Sequence, residues 1–191
     1  GTPVTSPPIK LAGNLTANGG SATTTRGNSG VITFTGGAIE LDADVTIQTK
    51  LAAVGSGGTA NAVTFTGAAS TIDSDATARA LTVDTGTGAV VFGGAIGQSS
   101  TGAQGVKSLT VTTTGATTLG GDIRTADDPS TTGVTISGPV TLTGNRTILT
   151  DRTTTDGFIA LGGAINADAG ANRRTLTLTA GTGGITMSGA A

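Results

Sequence analysis

Aspartate supplies nearly all of the side chains in this sequence that could act as acids, bases or metal ligands. The 191 residues include no His and no Cys, and Glu40 is the only glutamate among the 12 acidic residues. Nucleophiles activated by His, and zinc sites built from thiolates or imidazoles, are therefore excluded. Two-carboxylate catalysis would depend on Asp127–Asp128 with nearby Arg124, but no Tyr or Trp is present to form a sugar platform. We interpret this pair as a solvated loop and expect no enzyme.

A second set of aspartates has a spacing that suits calcium. Asp42-Ala-Asp44 and Asp73-Ser-Asp75 each place two carboxylates on one side of an extended segment. They follow two isoleucines at similar offsets, which predicts that the pairs stack in neighbouring turns of a repeat. Neither pair fits the EF-hand spacing or the calcium-binding nonapeptide, and solvated corner residues are the alternative. We expect no other cofactor, and the candidate calcium ligands are Asp42, Asp44, Asp73 and Asp75.

The charge and hydropathy patterns exclude two classes of partner. The 10 basic residues are scattered, the net charge is −2, and Arg173–Arg174 is the only basic pair. Without a basic patch or stacking aromatics, we expect no nucleic-acid binding. No apolar run approaches the roughly 18 residues of a membrane-spanning helix, so we expect no membrane insertion.

Thr-x-Thr pairs suggest an ice-binding surface, because rows of such pairs on a flat solenoid face are typical of ice-binding proteins. Val91/Gly93 and Ala160/Gly162 interrupt these rows, so we keep ice binding as a distant alternative. The simpler interpretation is that Thr is a good β-former that solvates the outer face. The pairs are Thr33/Thr35, Thr64/Thr66, Thr110/Thr112, Thr141/Thr143 and Thr177/Thr179.

An internal repeat must position all of these side chains. Its first element is an apolar strand that ends at a large residue and is followed by small residues, and it recurs at intervals of about 19 to 31 residues. The end residues are Phe34, Phe65, Phe92, Leu119, Leu142, Leu161 and Met187. A second element precedes most copies, beginning at Leu15, Val45, Leu81, Leu109, Val134 and Leu176, and is missing before Leu161. A third carries Ile39, Ile72, Ile96, Ile123, Ile148 and Ile165.

Within each element, aliphatic residues alternate with Thr or another small polar residue, which indicates strands with one buried face. Three short strands per repeat predict an all-β parallel β-helix of about seven irregular rungs. Phe34, Phe65 and Phe92 are then expected to form a ladder, and glycine pairs such as Gly93–Gly94 to form tight corners. The alternative is a β-sandwich, which also uses many short alternating strands.

The repeats resemble those of very large bacterial secreted proteins. The resemblance is clearest in residues 80–97 and 108–123, and a similar repeat pattern extends over residues 31 to 190. It is similar to the filamentous-haemagglutinin-like and autotransporter-like adhesins, whose repeats have no invariant functional residue. The resemblance implies a right-handed β-helix, an extracellular or cell-surface location, and a role in adhesion, a biofilm matrix or surface fibres.

The ends of such a solenoid favour self-association. Unpaired strand edges there require a cap or a neighbour, and the sequence still has repeat texture at its last residues. We therefore expect a β-helix domain over residues 14–191 and an extended, Pro-containing arm over residues 1–13. The expected function is a non-catalytic structural subunit of an extracellular fibre, with the chain itself as head-to-tail partner. An adhesin segment that binds cell-surface or matrix glycans is the alternative.

Overall fold

The computed structural model describes residues 8–18, 27–50, 59–97, 105–127 and 133–189. These residues form short β-strands and no helix. The strands are β1 Ile9–Leu11, β2 Leu15–Thr16, β3 Ile32–Thr35, β4 Ile39–Leu41, β5 Val45–Gln48, β6 Val63–Thr66, β7 Ile72–Ser74, β8 Arg79–Gly86, β9 Val90–Phe92, β10 Val106–Thr113, β11 Thr117–Leu119, β12 Ile123–Arg124, β13 Gly133–Ile136, β14 Val140–Leu142, β15 Arg146–Leu149, β16 Phe158–Leu161, β17 Ile165–Ala167, β18 Leu176–Thr179 and β19 Ile185–Met187.

The strands stack into three faces that the chain visits in turn. Face A contains β1, β4 and β7, then Ile96 as single bridges, then β12, β15 and β18. Face B contains β2, β5, β8, β10, β13, β16 and β19, and face C contains β3, β6, β9, β11, β14 and β17. Every pairing among these strands is parallel, which confirms the β-helix and makes the β-sandwich alternative wrong. Six complete coils are followed by β18 and β19 of a seventh.

The interior consists of columns of equivalent residues, because each strand turns alternate side chains inward. One column runs the whole length of face A in register. On face C the three phenylalanines stack as predicted, with ring centroids 4.8 Å apart for Phe34 and Phe65 and 5.3 Å for Phe65 and Phe92. Leu119, Leu142 and Ala167 continue that column. The face A column is Ile9, Ile39, Ile72, Ile96, Ile123, Ile148 and Leu178.

The assignment of elements to faces is wrong for the last two turns. Phe158–Leu161 pairs with β13 on face B. It is therefore the second element of its repeat, which the sequence predicts to be missing before Leu161. Ile165 therefore lies on face C, and Leu176–Thr179 lies on face A. Met187 stacks over Leu161 on face B, outside the phenylalanine column. At the other end, β1 falls within residues 1–13, which are predicted to form an arm; it belongs to the first coil and pairs with β4 of the second.

Glycines lie at corners where a coil closely contacts a neighbouring coil. A Cβ on Gly93 would lie 2.5 Å from the amide nitrogen of Gly67, and one on Gly97 would overlap the carbonyl oxygen of Arg124. Gly97 also has a φ of 69°, in the left-handed region that favours glycine. Close coil contact therefore requires the pairs Gly93–Gly94, Gly120–Gly121 and Gly162–Gly163. The pair Gly36–Gly37 instead has open space around it and positive φ at both residues.

Side-chain oxygens of Asn and Asp fasten one coil to the next at other corners. Asn14 Oδ1 accepts the N–H of Thr46 at 2.8 Å, and Asp44 Oδ1 accepts that of Ala80 at 2.9 Å. Such bonds continue the backbone ladder where the strands themselves have ended. Five further residues do the same: Asn28, Asp122, Asp127, Asn145 and Asp156.

Candidate functional site

The four aspartates proposed as calcium ligands lie on the outer side of face A, in the second and third coils. Asp42 and Asp75 take equivalent places, since their N–H groups donate to Leu11 and Leu41 of the respective coils below. Asp73 stands opposite Glu40 instead of an aspartate, so the expectation that whole pairs stack is wrong. The first pair follows Ile39 by three and five residues, whereas the second pair follows Ile72 by one and three residues. This difference of two residues is one full side-chain period of a strand.

Basic groups and backbone amides engage three of these carboxylates. Lys10 Nζ lies 2.5 Å from Glu40 and 3.5 Å from Asp42, and Arg79 grips Asp75 through two nitrogens at 2.8 and 3.0 Å. The hydrogen bond from Arg79 is the main reason that the pKa of Asp75 falls to about 2. Within the described ranges, no three His, Cys, Asp or Glu side chains come together as a metal site. Calcium binding stays a prediction of the sequence.

Of the aspartate pair considered for catalysis, Asp127 lies at the corner between faces A and B in the fifth coil, and Asp128 lies outside the described residues. Asp127 Oδ1 accepts the N–H of Thr154 at 2.8 Å, so one oxygen of this carboxylate fastens the next coil. Arg124 ends β12 and lines a surface depression of about 220 Å³ together with Asp122, Ile123, Thr147 and Leu149. Nothing in the sequence marked this depression, because its lining comes from two coils.

The Thr-x-Thr pairs are distributed over three faces. Thr33/Thr35 and Thr64/Thr66 lie side by side on face C, Thr110 lies on face B, and Thr177 lies on face A. A column of outward-facing threonines, which was not predicted from the sequence, runs along face B and is interrupted by Ala160. The threonines of that column are Thr46, Thr82, Thr110, Thr135 and Thr186. The predicted pairs thus do not form one lattice.

The first and last coils expose apolar side chains that are buried in the coils between them. Ile185 and Met187 are 47% and 50% exposed, whereas Ile159 and Leu161 directly below them are buried. At the opposite end Ile9 is 39% exposed, although Ile39 above it is buried. The core therefore reaches solvent at both ends of the described solenoid.

The strand edges at the two ends have complementary hydrogen-bonding directions. Inward-facing residues donate to the coil above, as Ile9 does to Ala38, and outward-facing residues donate to the coil below, as Asp42 does to Leu11. The free N–H and C=O groups on the upper edge of β19 therefore match those on the lower edge of β2, in the same way as the groups of two stacked coils match. Such edges can add a further parallel strand.

The described residues contain no helix that could span a membrane. Comparisons with protein-family models, with curated proteins and with solved structures found no match.

Proposed function

We propose that this chain is a non-catalytic structural segment of an extracellular bacterial fibre or surface layer, and that copies associate head to tail through the solenoid ends. The observation that carries the proposal is the pair of open, complementary ends. Burial of Ile185 and Met187 by a second copy would remove apolar surface from water while the backbone ladder continues.

The register of the columns specifies how such a joint would be arranged. Met187 ends the face B column that begins at Leu15, and Leu178 ends the face A column that begins at Ile9. A copy placed on top would set Leu15 over Met187 and Ile9 over Leu178. Because the contact is between different surfaces, it does not close on itself and builds a filament.

The extracellular and bacterial parts of the proposal depend on a different observation. They derive from the resemblance of the repeats to filamentous-haemagglutinin-like and autotransporter-like proteins. The long corners that vary in sequence between coils suit the adhesin alternative, in which loops contact cell-surface or matrix glycans.

Sedimentation velocity and electron microscopy of the purified chain test the proposal. We expect filaments with an axial repeat of roughly 34 Å, for seven levels about 4.8 Å apart. Met187→Lys should abolish them, because a charge would be buried at the joint. Thr186→Lys, one residue away on the exposed outer side of the same strand, is the matched control and should preserve them.

A chain that remains monomeric at every soluble concentration would contradict head-to-tail association. A monomer that binds cells or matrix glycans would favour the adhesin alternative. Filaments that survive Met187→Lys would show that copies associate through another surface.

A further inference from the structure

Polar atoms without hydrogen-bond partners are concentrated at one corner of the solenoid. Among the described residues, four buried side-chain nitrogen or oxygen atoms lack a partner: Thr117 Oγ1, Arg124 Nε, Thr125 Oγ1 and Arg152 Nε. Three of them belong to the corner between faces A and B in the fifth and sixth coils. Since nearly all buried polar groups in native proteins are paired, such a concentration indicates a missing partner.

The local backbone holds both arginines in place. Arg124 ends β12, and Arg152 lies in the segment that joins β15 to β16. That segment is closed by the Thr150 hydroxyl, which donates to the Gly157 carbonyl at 2.5 Å. The N–H of Arg152 donates to Asp156 Oδ1 at 2.8 Å. Strand β12 therefore fixes the backbone of Arg124, and these two hydrogen bonds fix the backbone of Arg152.

Two carboxylates at this corner, Asp127 and Asp156, accept hydrogen bonds from backbone amides and form no salt bridge with either arginine. Asp127 accepts the N–H of Thr154, and Asp156 accepts the N–H groups of Arg152 and Thr182. Neither Arg124 nor Arg152 forms a salt bridge with a described residue, unlike Arg79 and Arg174. Burial, and then the charge of Arg124, lower the pKa of Arg152, although Asp127 and Asp151 partly offset this.

The depression beside Arg124 has room for a ligand and a mixed lining. Its volume of about 220 Å³ is several times the roughly 30 Å³ that one water molecule occupies. Thr147 and Leu149 supply a hydroxyl and an apolar wall, and Asp122 uses Oδ1 to accept the N–H of Thr147 at 2.9 Å. The lining thus combines the Arg124 guanidinium with the Asp122 carboxylate, which suits a ligand with one oxyanion for the guanidinium and hydroxyl groups that can donate to the carboxylate.

We propose that the Arg124–Arg152 corner is an oxyanion site, which takes the carboxylate or sulfate group of an acidic sugar. The oxyanion accepts from the guanidinium groups, and the neutral part of the sugar lies against Thr147 and Leu149. This site lies on the side of the solenoid, away from the ends, and it does not depend on head-to-tail association.

Isothermal titration calorimetry with two probes, at constant ionic strength, tests the site. Sodium sulfate represents a free oxyanion, and trigalacturonate represents an acidic sugar. We expect Arg124→Gln and Arg152→Gln each to weaken binding about tenfold, which corresponds to the loss of one charge-assisted contact. Arg173→Gln is the matched control, because Arg173 is exposed and forms no salt bridge with a described residue, and it should change affinity less than twofold.

Each outcome decides the proposal. Tighter binding of trigalacturonate than of sulfate supports a sugar ligand, and binding of sulfate alone supports the oxyanion site but overturns the sugar. No binding of either probe, or equal losses in Arg124→Gln and Arg173→Gln, overturns the site. Equal thermal unfolding midpoints for all variants would verify that the comparison is between folded proteins.

Discussion

The lower coils, β1 to β9, and the upper coils, from Ile96 onwards, share one backbone plan but are stabilised by different side chains. On face C the lower coils stack Phe34, Phe65 and Phe92, whereas the upper coils continue with leucines and end at Ala167. In the lower coils every described Lys and Arg is in a salt bridge, and in the upper coils only Arg174 is. The two halves thus share the parallel ladder although their buried columns and their outer charges differ.

The difference separates a region whose described cations are paired from a region where most are not. In the lower coils Lys10 pairs with Glu40 and Asp42, and Arg79 pairs with Asp75. The upper coils retain unpaired cations at one corner and the most exposed apolar strand, β19, at their end. The oxyanion site depends on the upper coils alone, whereas head-to-tail association also needs β1 and β2 at the lower end.

The largest expected effect tests the aromatic stack of the lower coils. Phe65 is fully buried between two other rings, so Phe65→Ala should lower the free energy of unfolding by about 3–5 kcal/mol, measured by urea denaturation. Phe158→Ala in the upper coils is the control and should cost far less, because that ring is 43% exposed. Similar losses in the two variants would contradict the distinction between the coils.

A second contrast concerns two glycines that both have positive φ. Gly97→Ala should cost about 1–2 kcal/mol for the left-handed backbone and roughly 1–3 kcal/mol more for overlap with the Arg124 carbonyl. Gly36→Ala in the lower coils should show only the first cost, since its Cβ would meet open space. Thermal unfolding of the two variants measures the difference, and an equal loss would show that the coils adjust at no cost.

The same corner chemistry explains which part of the fold could be predicted. Alternation of aliphatic and polar residues was enough to identify strands, inward residues and the phenylalanine ladder. Leu161-Gly-Gly-Ala-Ile165 was assigned to the wrong faces because it repeats the pattern of Phe92-Gly-Gly-Ala-Ile96. Corners from B to C and from C to A both need small residues for close coil contact, so a local motif does not identify its face.

The candidate oxyanion site was less accessible to sequence reasoning than the fold. Arg124 was noted as the neighbour of Asp127, but Arg152 and Thr147 lie more than 20 residues further along the chain. Variable corner lengths set which residues meet across coils, and no regular period reveals them. Only the folded chain shows that the buried Nε atoms of Arg124 and Arg152 have no hydrogen-bond partner.

A smaller stabilisation is expected from a conservative change in the upper coils. Thr117 points into the core in a column shared with Val63, Val90 and Val140, and its buried hydroxyl has no partner among the described residues. Thr117→Val should raise the free energy of unfolding by about 1 kcal/mol, because an unsatisfied polar group is removed. The control, Thr118→Val on the outer side of the same strand, should be nearly neutral. A loss of stability in Thr117→Val would indicate that the hydroxyl has a partner in solution.

The smallest effect compares acid sensitivity in the two halves. The pKa of Asp75 in the lower coils and of Asp168 in the upper coils falls to about 2, in each case mainly through a hydrogen bond from an arginine, Arg79 or Arg174. A carboxyl whose pKa is lower in the folded state stabilises the fold above the unfolded value of about 4 and loses that contribution as the pH falls towards 2. The thermal midpoint should therefore be flat from pH 7 to 5 and decline below pH 4. Asp75→Asn and Asp168→Asn should each make the decline shallower, and because both pairs are partly exposed to solvent, added salt should do the same. A steeper decline in either variant would contradict the assigned direction of the pKa shift.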